Sequence, residues 1–153
     1  MSQYEIRMDI ADIPNKTAGG TIEAQFITAG GESDWYKVSD NFKAGDHPES
    51  TIEVPESLGE FQGIRLRASS PDGLTLQRMV IEGPRDKAYV LLPVTDKGVK
   101  SAALAVTARK ELGEWLSRSE IPILQIKVFF AGIDFLLGKK SAAEILLMLA
   151  RGY

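Results

Sequence analysis

The stretch from residue 20 to residue 81 decides the fold: GTIEAQFITAGGESDWYKVSDNFKAGDHPESTIEVPESLGEFQGIRLRASSPDGLTLQRMVI. Within it, short runs of alternating apolar and polar residues are separated by turns rich in glycine, proline, aspartate and serine. This arrangement is typical of an antiparallel β-sandwich or barrel, because every second side chain of a strand faces the core. No helical periodicity is visible before about residue 100, so the first part of the chain is predicted to be all-β.

Working outward from this stretch, the alternation predicts seven or eight strands. Residues 4–10 alternate without a fault, with Tyr4, Ile6 and Met8 on one face and charged residues on the other. The predicted strands cover residues 4–10, 21–28, 35–38, 52–54, 61–67, 74–81 and 88–94. Proline and glycine in residues 69–73 mark a turn between two of them.

The pattern changes after residue 95. An apolar stripe with steps of four, four and three residues predicts a helix. The stripe consists of Leu104, Ala108, Leu112 and Trp115. Residues 123–137 carry a wide apolar arc that predicts a second, mostly buried helix, and Ser141 with Glu144 forms a capping box for a last helix that ends near Arg151. The second of these predicted helices has about 15 residues and would span roughly 22 Å. It is therefore too short to cross a hydrocarbon core of about 30 Å.

These patterns together predict a mainly β protein with a C-terminal α part (α+β). We expect an antiparallel sandwich over residues 1–95, followed by two or three helices in residues 96–153. The helical extension is expected to pack on the sandwich or in an oligomer interface.

Composition limits the chemistry that the chain can perform. The 153 residues include no cysteine and one histidine, so disulfides, thiolate metal sites and histidine metal clusters are excluded. The formal net charge of −3 gives no reason to expect a nucleic-acid partner. The N-terminus shows no basic region followed by an apolar run, so a cytoplasmic protein is the default expectation, although a mature secreted chain would look the same.

The β region resembles the PLAT (lipoxygenase-homology) family over roughly residues 4–94. The elements that carry the resemblance are residues 4–10, Gly20-Thr21, Gly30-Gly31, Trp35, Phe42-Lys43-Ala44-Gly45, Leu58-Gly59, Ile64-Arg65-Leu66 and Leu76-x-x-Met79-Val80-Ile81. Their order and spacing, rather than any single element, make the likeness. The resemblance covers none of the predicted helices.

The resemblance implies a docking module that brings another protein to a membrane or to a partner, and some members bind calcium in loops at one end of the sandwich. Two positions that are often acidic in the family are Ile22 and Ser69 here. Calcium requires six to eight oxygen ligands, several of them carboxylates. We therefore predict no cofactor and keep Asp46 and Asp72 as the residues that could ligate calcium.

The candidate contacts with a partner protein or a lipid surface are Trp35, Tyr36, Lys37 and Lys43. Amphipathic rings prefer interfaces, and lysines reach anionic headgroups. Because successive residues of a strand face opposite ways, one of the two aromatic side chains must point away from the core. The alternative interpretation is a tryptophan in the sandwich core beside a partly exposed tyrosine.

Two residues are candidates for acid–base chemistry, His47 in a polar loop and Asp134 in the second predicted helix. An enzyme or carrier that holds an apolar ligand between sheet and helices could use either one. The alternative for His47 is an ordinary surface residue. For Asp134 it is a structural ion pair, with Lys127 as the partner on the same polar strip.

The second predicted helix raises a question of burial, because its seven large apolar side chains represent more than about 10 kcal/mol of hydrophobic free energy. They are Ile123, Ile126, Phe129, Phe130, Ile133, Leu136 and Leu137. If one sandwich face does not cover them, a second copy of the chain would. The predicted assembly interface consists of Ile126, Phe129, Phe130, Ile133 and Leu137. The leading hypothesis is thus a non-catalytic docking module. The alternatives are a scaffolding protein that self-associates through residues 121–151 and the small enzyme or carrier described above.

Overall fold

The computed structural model describes residues 1–12, 19–70, 73–96, 99–118 and 126–138, and they form two antiparallel β-sheets packed face to face. The strands are β1 (Ser2–Ile10), β2 (Gly20–Thr28), β3 (Gly31–Phe42), β4 (Glu49–Val54), β5 (Phe61–Ala68), β6 (Leu74–Glu82), β7 (Lys87–Asp96), β8 (Val99–Ala108), β9 (Ile126–Val128) and β10 (Ile133–Leu136). A 3-10 turn (Glu56–Leu58) follows β4, and the helix α1 (Arg109–Arg118) follows β8. All seven strands predicted from the sequence are confirmed.

The first sheet has the order β4-β1-β6-β7-β8, and the second has the order β10-β5-β2-β3. Strand β7 pairs with β6 only along residues 80–82, whereas it pairs with β8 over its whole length. Strand β9 pairs with the other half of β6, along residues 74–76. It therefore supplies the backbone partners that β7 does not reach.

The core lies between the sheets and follows from strand alternation. On β1, Ile6 and Met8 are buried while Arg7 and Asp9 between them face outward. The opposing sheet contributes Phe26, Ile64 and Leu66, all fully buried. This packing confirms the predicted sandwich.

The C-terminal part differs from the sequence prediction. Two or three helices were expected after residue 95, but α1 is the only helix among the residues described there. Leu104 and Ala108 belong to β8, and Leu112 is buried on α1. A step of four residues equals two strand periods as well as about one helical turn, so the stripe did not distinguish the two structures.

The region of the second predicted helix instead forms a β-arch, that is, two consecutive strands that are joined by a short turn and pair in different sheets. Strand β9 pairs with β6 in the first sheet, and β10 pairs with β5 in the second. The turn between them ends at Gly132, which has φ +86°, a backbone conformation natural to glycine. Two short strands joined by Phe129, Phe130, Ala131 and Gly132 reproduce the apolar spacing of a helix, which is why the prediction was wrong. The last predicted helix lies outside the described residues.

The division of the chain at residue 95 stays a prediction, although strands from both sides of that point share both sheets. A parallel bridge joins Leu104 to Leu137, and the Gly138 N–H donates to the Leu104 carbonyl at 2.8 Å. These contacts connect β8 of the first sheet with the residues that follow β10 of the second. No helix in the described part of the chain has the length and apolar character that membrane crossing requires.

The strand β10 has a different buried residue from the one that the helical pattern predicts. Phe135 is buried (1% exposed) and Leu136 is half exposed (52%), as a strand requires, whereas the helical pattern placed Leu136 inside and omitted Phe135. Phe135→Ala is expected to lower the free energy of unfolding by about 3–5 kcal/mol. Leu136→Ala is the matched control and should cost less than about 1 kcal/mol. Urea unfolding of the two variants checks this, and the reverse ranking would contradict the β10 assignment.

One end of the core is aromatic. The ring centroids of Tyr4 and Phe61 lie 5.6 Å apart, those of Phe61 and Tyr89 lie 4.4 Å apart, and Phe26 lies 4.9 Å from Tyr4. Burial, with a smaller contribution from Tyr4 and Glu60, raises the pKa of Tyr89 to about 12. The folded state therefore favours the neutral phenol.

This pKa predicts a loss of stability in alkali. The unfolded phenol titrates near 10.0 and the folded one near 12, so the contribution of Tyr89 is fully present below pH 10 and is lost as the pH rises from about 10 to 12. Tyr89→Phe should make the free energy of unfolding fall less steeply over that range than it does in the wild type. Urea unfolding followed from pH 9 to 11 measures both slopes, and equal slopes would contradict the argument.

Candidate docking surface

Strands β1, β3, β5 and β9 all end at the same end of the sandwich, which we call the tip end. The turn between β9 and β10 lies there and carries Phe129 and Phe130, which are 49% and 71% exposed. Among the described residues, Met1 and Leu136 are the other large apolar side chains with such exposure. The turn therefore presents two adjacent apolar rings to solvent.

The backbone of this turn is held by its neighbours. The Phe129 carbonyl accepts hydrogen bonds from the N–H groups of Ala68 (3.2 Å) and Gly132 (3.1 Å). Gly73 lies against the turn with φ +70°, and a side chain there would meet the Val128 carbonyl at 2.7 Å and the Phe129 ring at 3.3 Å. The two phenylalanines thus project from a backbone fixed to the β5–β6 connection.

Two lysines lie at the tip end. The Lys127 ammonium is 5.4 Å from the centroid of the Phe129 ring, within the range of a cation–π contact. Lys43, in the connection between β3 and β4, is exposed. The tip therefore combines apolar rings with cations.

The calcium candidates gain no support from the geometry of Asp46. Its carboxylate accepts a hydrogen bond from the Lys43 N–H at 2.9 Å, and its own N–H donates to the Lys43 carbonyl at 3.1 Å. This is the local pattern of a turn capped by its own aspartate. No group of three or more acidic or histidine side chains that could hold a metal occurs within the described ranges, and Asp72 lies outside them.

The predicted set Trp35, Tyr36 and Lys37 is divided between the two faces of β3. Trp35 lies on the outer face of the second sheet, with the Arg67 guanidinium 3.8 Å from its ring centroid, whereas Tyr36 packs on the buried Phe26 at 6.2 Å. The interpretation of Trp35 as the core residue is therefore wrong, because it is Tyr36 that reaches the core.

Lys37 forms an ion pair with Asp40 at 2.7 Å on the same outer face. Their hydrogen bond raises the pKa of Lys37 and, together with a hydrogen bond from Thr21, lowers the pKa of Asp40. Both groups are exposed, so the pair contributes little to stability. Lys37 is thus already engaged within the chain.

Asp134 belongs to a cross-strand ion network and not to a pair with Lys127. The Arg65 guanidinium donates to both carboxylate oxygens of Asp134, one at 3.0 Å, and also to the Gln25 side chain at 2.9 Å. The Asp134 hydrogen bond raises the pKa of Arg65. Asp134 is therefore ion-paired, but its partner is Arg65 on β5 and not the Lys127 named in the sequence interpretation.

His47 lies on the outer face of the first sheet. Its Nδ1 is 2.8 Å from Asp9 Oδ1, and the other Asp9 oxygen accepts from Arg78 Nε at 2.7 Å. The imidazole side chain is 74% exposed, beside a shallow pocket of about 180 Å³. Because His47 and Asp134 belong to opposite outer faces of the sandwich, they cannot act together on one ligand.

The predicted assembly residues fall into two groups. Phe129 and Phe130 are exposed at the tip, whereas Ile126, Ile133 and Leu137 are partly buried against the core. The interface itself stays a prediction.

Comparisons with known proteins agree with the fold. No protein-family model matches the sequence, and no curated protein matches it. Solved structures of a lipoxygenase variant, described as Delta413-417:GS LOX, match with a TM-score of 0.56 and 14% sequence identity, covering 99% of this chain and 19% of the other. An anaerobic crystal structure of the same variant in complex with arachidonate matches with a TM-score of 0.54.

The fold is therefore a PLAT-like β-sandwich. The chain spans about a fifth of the length of the lipoxygenase chains that it matches. At 14% identity the likeness establishes the fold alone.

The Arg65–Asp134 pair generates a prediction. The two side chains are 28% and 42% exposed, so Asp134→Asn should cost only about 0.2–1 kcal/mol of unfolding free energy. The loss should shrink in about 1 M salt, where charges are screened over about 3 Å. Urea unfolding at low and high salt tests this. A salt-independent loss of about 3 kcal/mol or more would indicate a buried ion pair instead.

Proposed function

We propose that this chain is a non-catalytic docking module that contacts a lipid surface through the β9–β10 turn. The observation that carries the proposal is the pair of exposed phenylalanines, Phe129 and Phe130, on a turn whose backbone is held by the β5–β6 connection. Aromatic rings transfer favourably into the interfacial region of a bilayer, and a fixed backbone removes the entropic cost of ordering the turn on contact.

The charged side chains at the tip also favour contact with a lipid surface. Lys127 lies beside Phe129, where lipid headgroups would be once the rings were inserted, and the exposed Lys43 follows β3 at the other edge of the second sheet. Lysines near a membrane surface contribute about 1 kcal/mol each toward anionic lipids. The tip therefore suits a lipid bilayer, which has an apolar interior beneath anionic headgroups.

A protein partner fits the tip less well. Stable protein interfaces bury about 800 Å² on each partner and present a broad surface. Two rings on a narrow turn provide a small protruding contact, which suits insertion. Trp35, whose ring lies under Arg67, and Lys37, paired with Asp40, are already engaged within the chain. They are secondary contacts in this proposal.

The lipid proposal predicts that Phe129→Ala/Phe130→Ala weakens binding to phosphatidylcholine vesicles containing phosphatidylserine by at least about tenfold. The two exposed rings together represent about 2–3 kcal/mol of transferable apolar area. Vesicle co-sedimentation measures the partition coefficient. Lys127→Gln should weaken binding to the vesicles with phosphatidylserine and leave binding to pure phosphatidylcholine unchanged.

Leu136→Ala is the control for this experiment, because it removes an exposed apolar side chain from the flat outer face of β10 and not from the turn. It should bind like the wild type. Wild-type protein that binds neither kind of vesicle, or a double variant that binds like the wild type, would refute lipid docking by the tip. A concentration-dependent mass that becomes monomeric in the double variant would instead support the scaffolding alternative.

A further inference from the structure

The opposite end of the sandwich, where α1 lies, contains an open cleft of about 550 Å³. Its floor includes Tyr4 of β1 and Tyr89 of β7. In the strand order β4-β1-β6-β7, the connection that leaves β4 lies on one side of β1 and the β6–β7 turn lies on the other. These two connections form the walls of the cleft.

The two walls carry opposite charges. The β6–β7 side contributes the exposed cations Arg85 and Lys87, and the connection after β4 contributes the exposed acids Glu56 and Glu60. Within the described residues, no ion pair of 4 Å or less joins one wall to the other, and Glu56 is 3.6 Å from the amino-terminal nitrogen. Glu56 is thus already paired, whereas Glu60 faces Arg85 and Lys87 across the open space with no ion pair between the two walls in the described residues.

The floor between the walls is neutral and polar. Tyr4 and Tyr89 are 6% and 5% exposed, and their rings pack on Phe61. Neither phenol oxygen has a hydrogen-bond partner in the part of the chain that the structure describes. Burial raises the pKa of both phenols, so near neutral pH each keeps a hydroxyl that can donate and accept.

The cationic wall is held in place. Gly83 lies against both rings, since a Cβ there would be 3.0 Å from a Tyr4 ring carbon and 3.2 Å from a Tyr89 ring carbon. The Arg109 guanidinium donates to the Gly83 carbonyl, and the Arg109 N–H donates to the Asp86 carbonyl at 3.1 Å. The first residue of α1 therefore fixes the turn that carries Arg85.

We propose that this cleft binds a small zwitterion, with its phosphate or carboxylate group at Arg85 and Lys87 and its ammonium group at Glu60. A simple anion would face the acidic wall, and a simple cation would face the basic wall. A zwitterion satisfies both walls, and the phenol hydroxyls bond to the polar atoms between its charged ends. The site is distinct from the tip, so its occupation does not depend on lipid docking.

The test uses three small molecules that separate the two charges: phosphoethanolamine with both, ethyl phosphate with the anion alone, and ethanolamine with the cation alone. Titrations of the full chain followed by amide chemical shifts should show the tightest binding for phosphoethanolamine, with shifts confined to residues of the cleft. Equal affinity for ethyl phosphate and phosphoethanolamine would overturn the proposal, as would the absence of binding by all three.

Variants that each remove one charge test the two walls of the cleft separately. Arg85→Asn removes the cation while keeping a residue that tolerates the φ of +61° found there, and it should weaken phosphoethanolamine binding about tenfold. Glu60→Gln should also weaken phosphoethanolamine but strengthen ethyl phosphate, because it removes repulsion. Lys37→Gln on β3 is the control for lost positive charge and should change neither affinity.

The result for Glu60→Gln decides between a zwitterion site and an anion site. If this variant bound phosphoethanolamine more tightly than the wild type does, the cleft would be an anion site and the proposal would fail. The Phe129→Ala/Phe130→Ala variant should keep the wild-type affinity for phosphoethanolamine, so failure of lipid docking and failure of the cleft proposal are distinguishable.

Discussion

The closure of the sandwich depends on one requirement, which is that the backbone N–H and C=O groups on both sides of β6 form hydrogen bonds. Strand β1 covers one side, and β7 covers the other only along residues 80–82. Unpaired N–H and C=O groups are costly at a buried edge, and β9 supplies the missing bonds along residues 74–76. Because β10 then pairs with β5, the chain must cross from one sheet to the other within four residues.

That crossing explains the exposed rings. The sheets of a sandwich are about 10 Å apart, and a turn of four residues is just long enough to bridge them. The Phe129 carbonyl accepts hydrogen bonds from Gly132 within the turn and from Ala68 at the end of β5, and the rings of Phe129 and Phe130 lie outside the core between the sheets. The proposed docking surface is thus a consequence of how the sandwich is closed.

The two ends of the sandwich differ in chemistry. The tip end presents apolar rings and lysines on a fixed turn, whereas the α1 end presents a polar cleft with walls of opposite charge over buried phenols. The long outer faces are occupied by cross-strand ion networks, in which Arg65 pairs with Asp134 and Arg78 pairs with Asp9. These ion pairs are partly exposed and add little to stability, and they engage the charged groups of the outer faces within the chain.

Much of this fold could be predicted from the sequence, because alternating apolar residues and the turn residues between them indicate the first seven strands. The C-terminal strands could not be predicted, since β8 has apolar residues at a spacing that suits both strand and helix, and the apolar residues of β9, the turn and β10 together have a helical spacing. If Phe129-Phe130-Ala131-Gly132 is recognised as a turn, the residues after it form a strand. Strand alternation then places Phe135 in the core and Leu136 in solvent. The cleft could not be predicted from the sequence, because its residues come from β1, β7 and two connections that are brought together only by the strand order.

The central claim is that residues 126–136 close the sandwich as a β-arch, with β9 in the first sheet and β10 in the second. Nuclear Overhauser contacts between backbone protons test it most directly. The account predicts cross-strand contacts from residues 133–136 to residues 63–66 and from residues 126–128 to residues 74–76. A continuous series of contacts between each residue and the third one following it, running through residues 123–137, would show a helix and contradict the account.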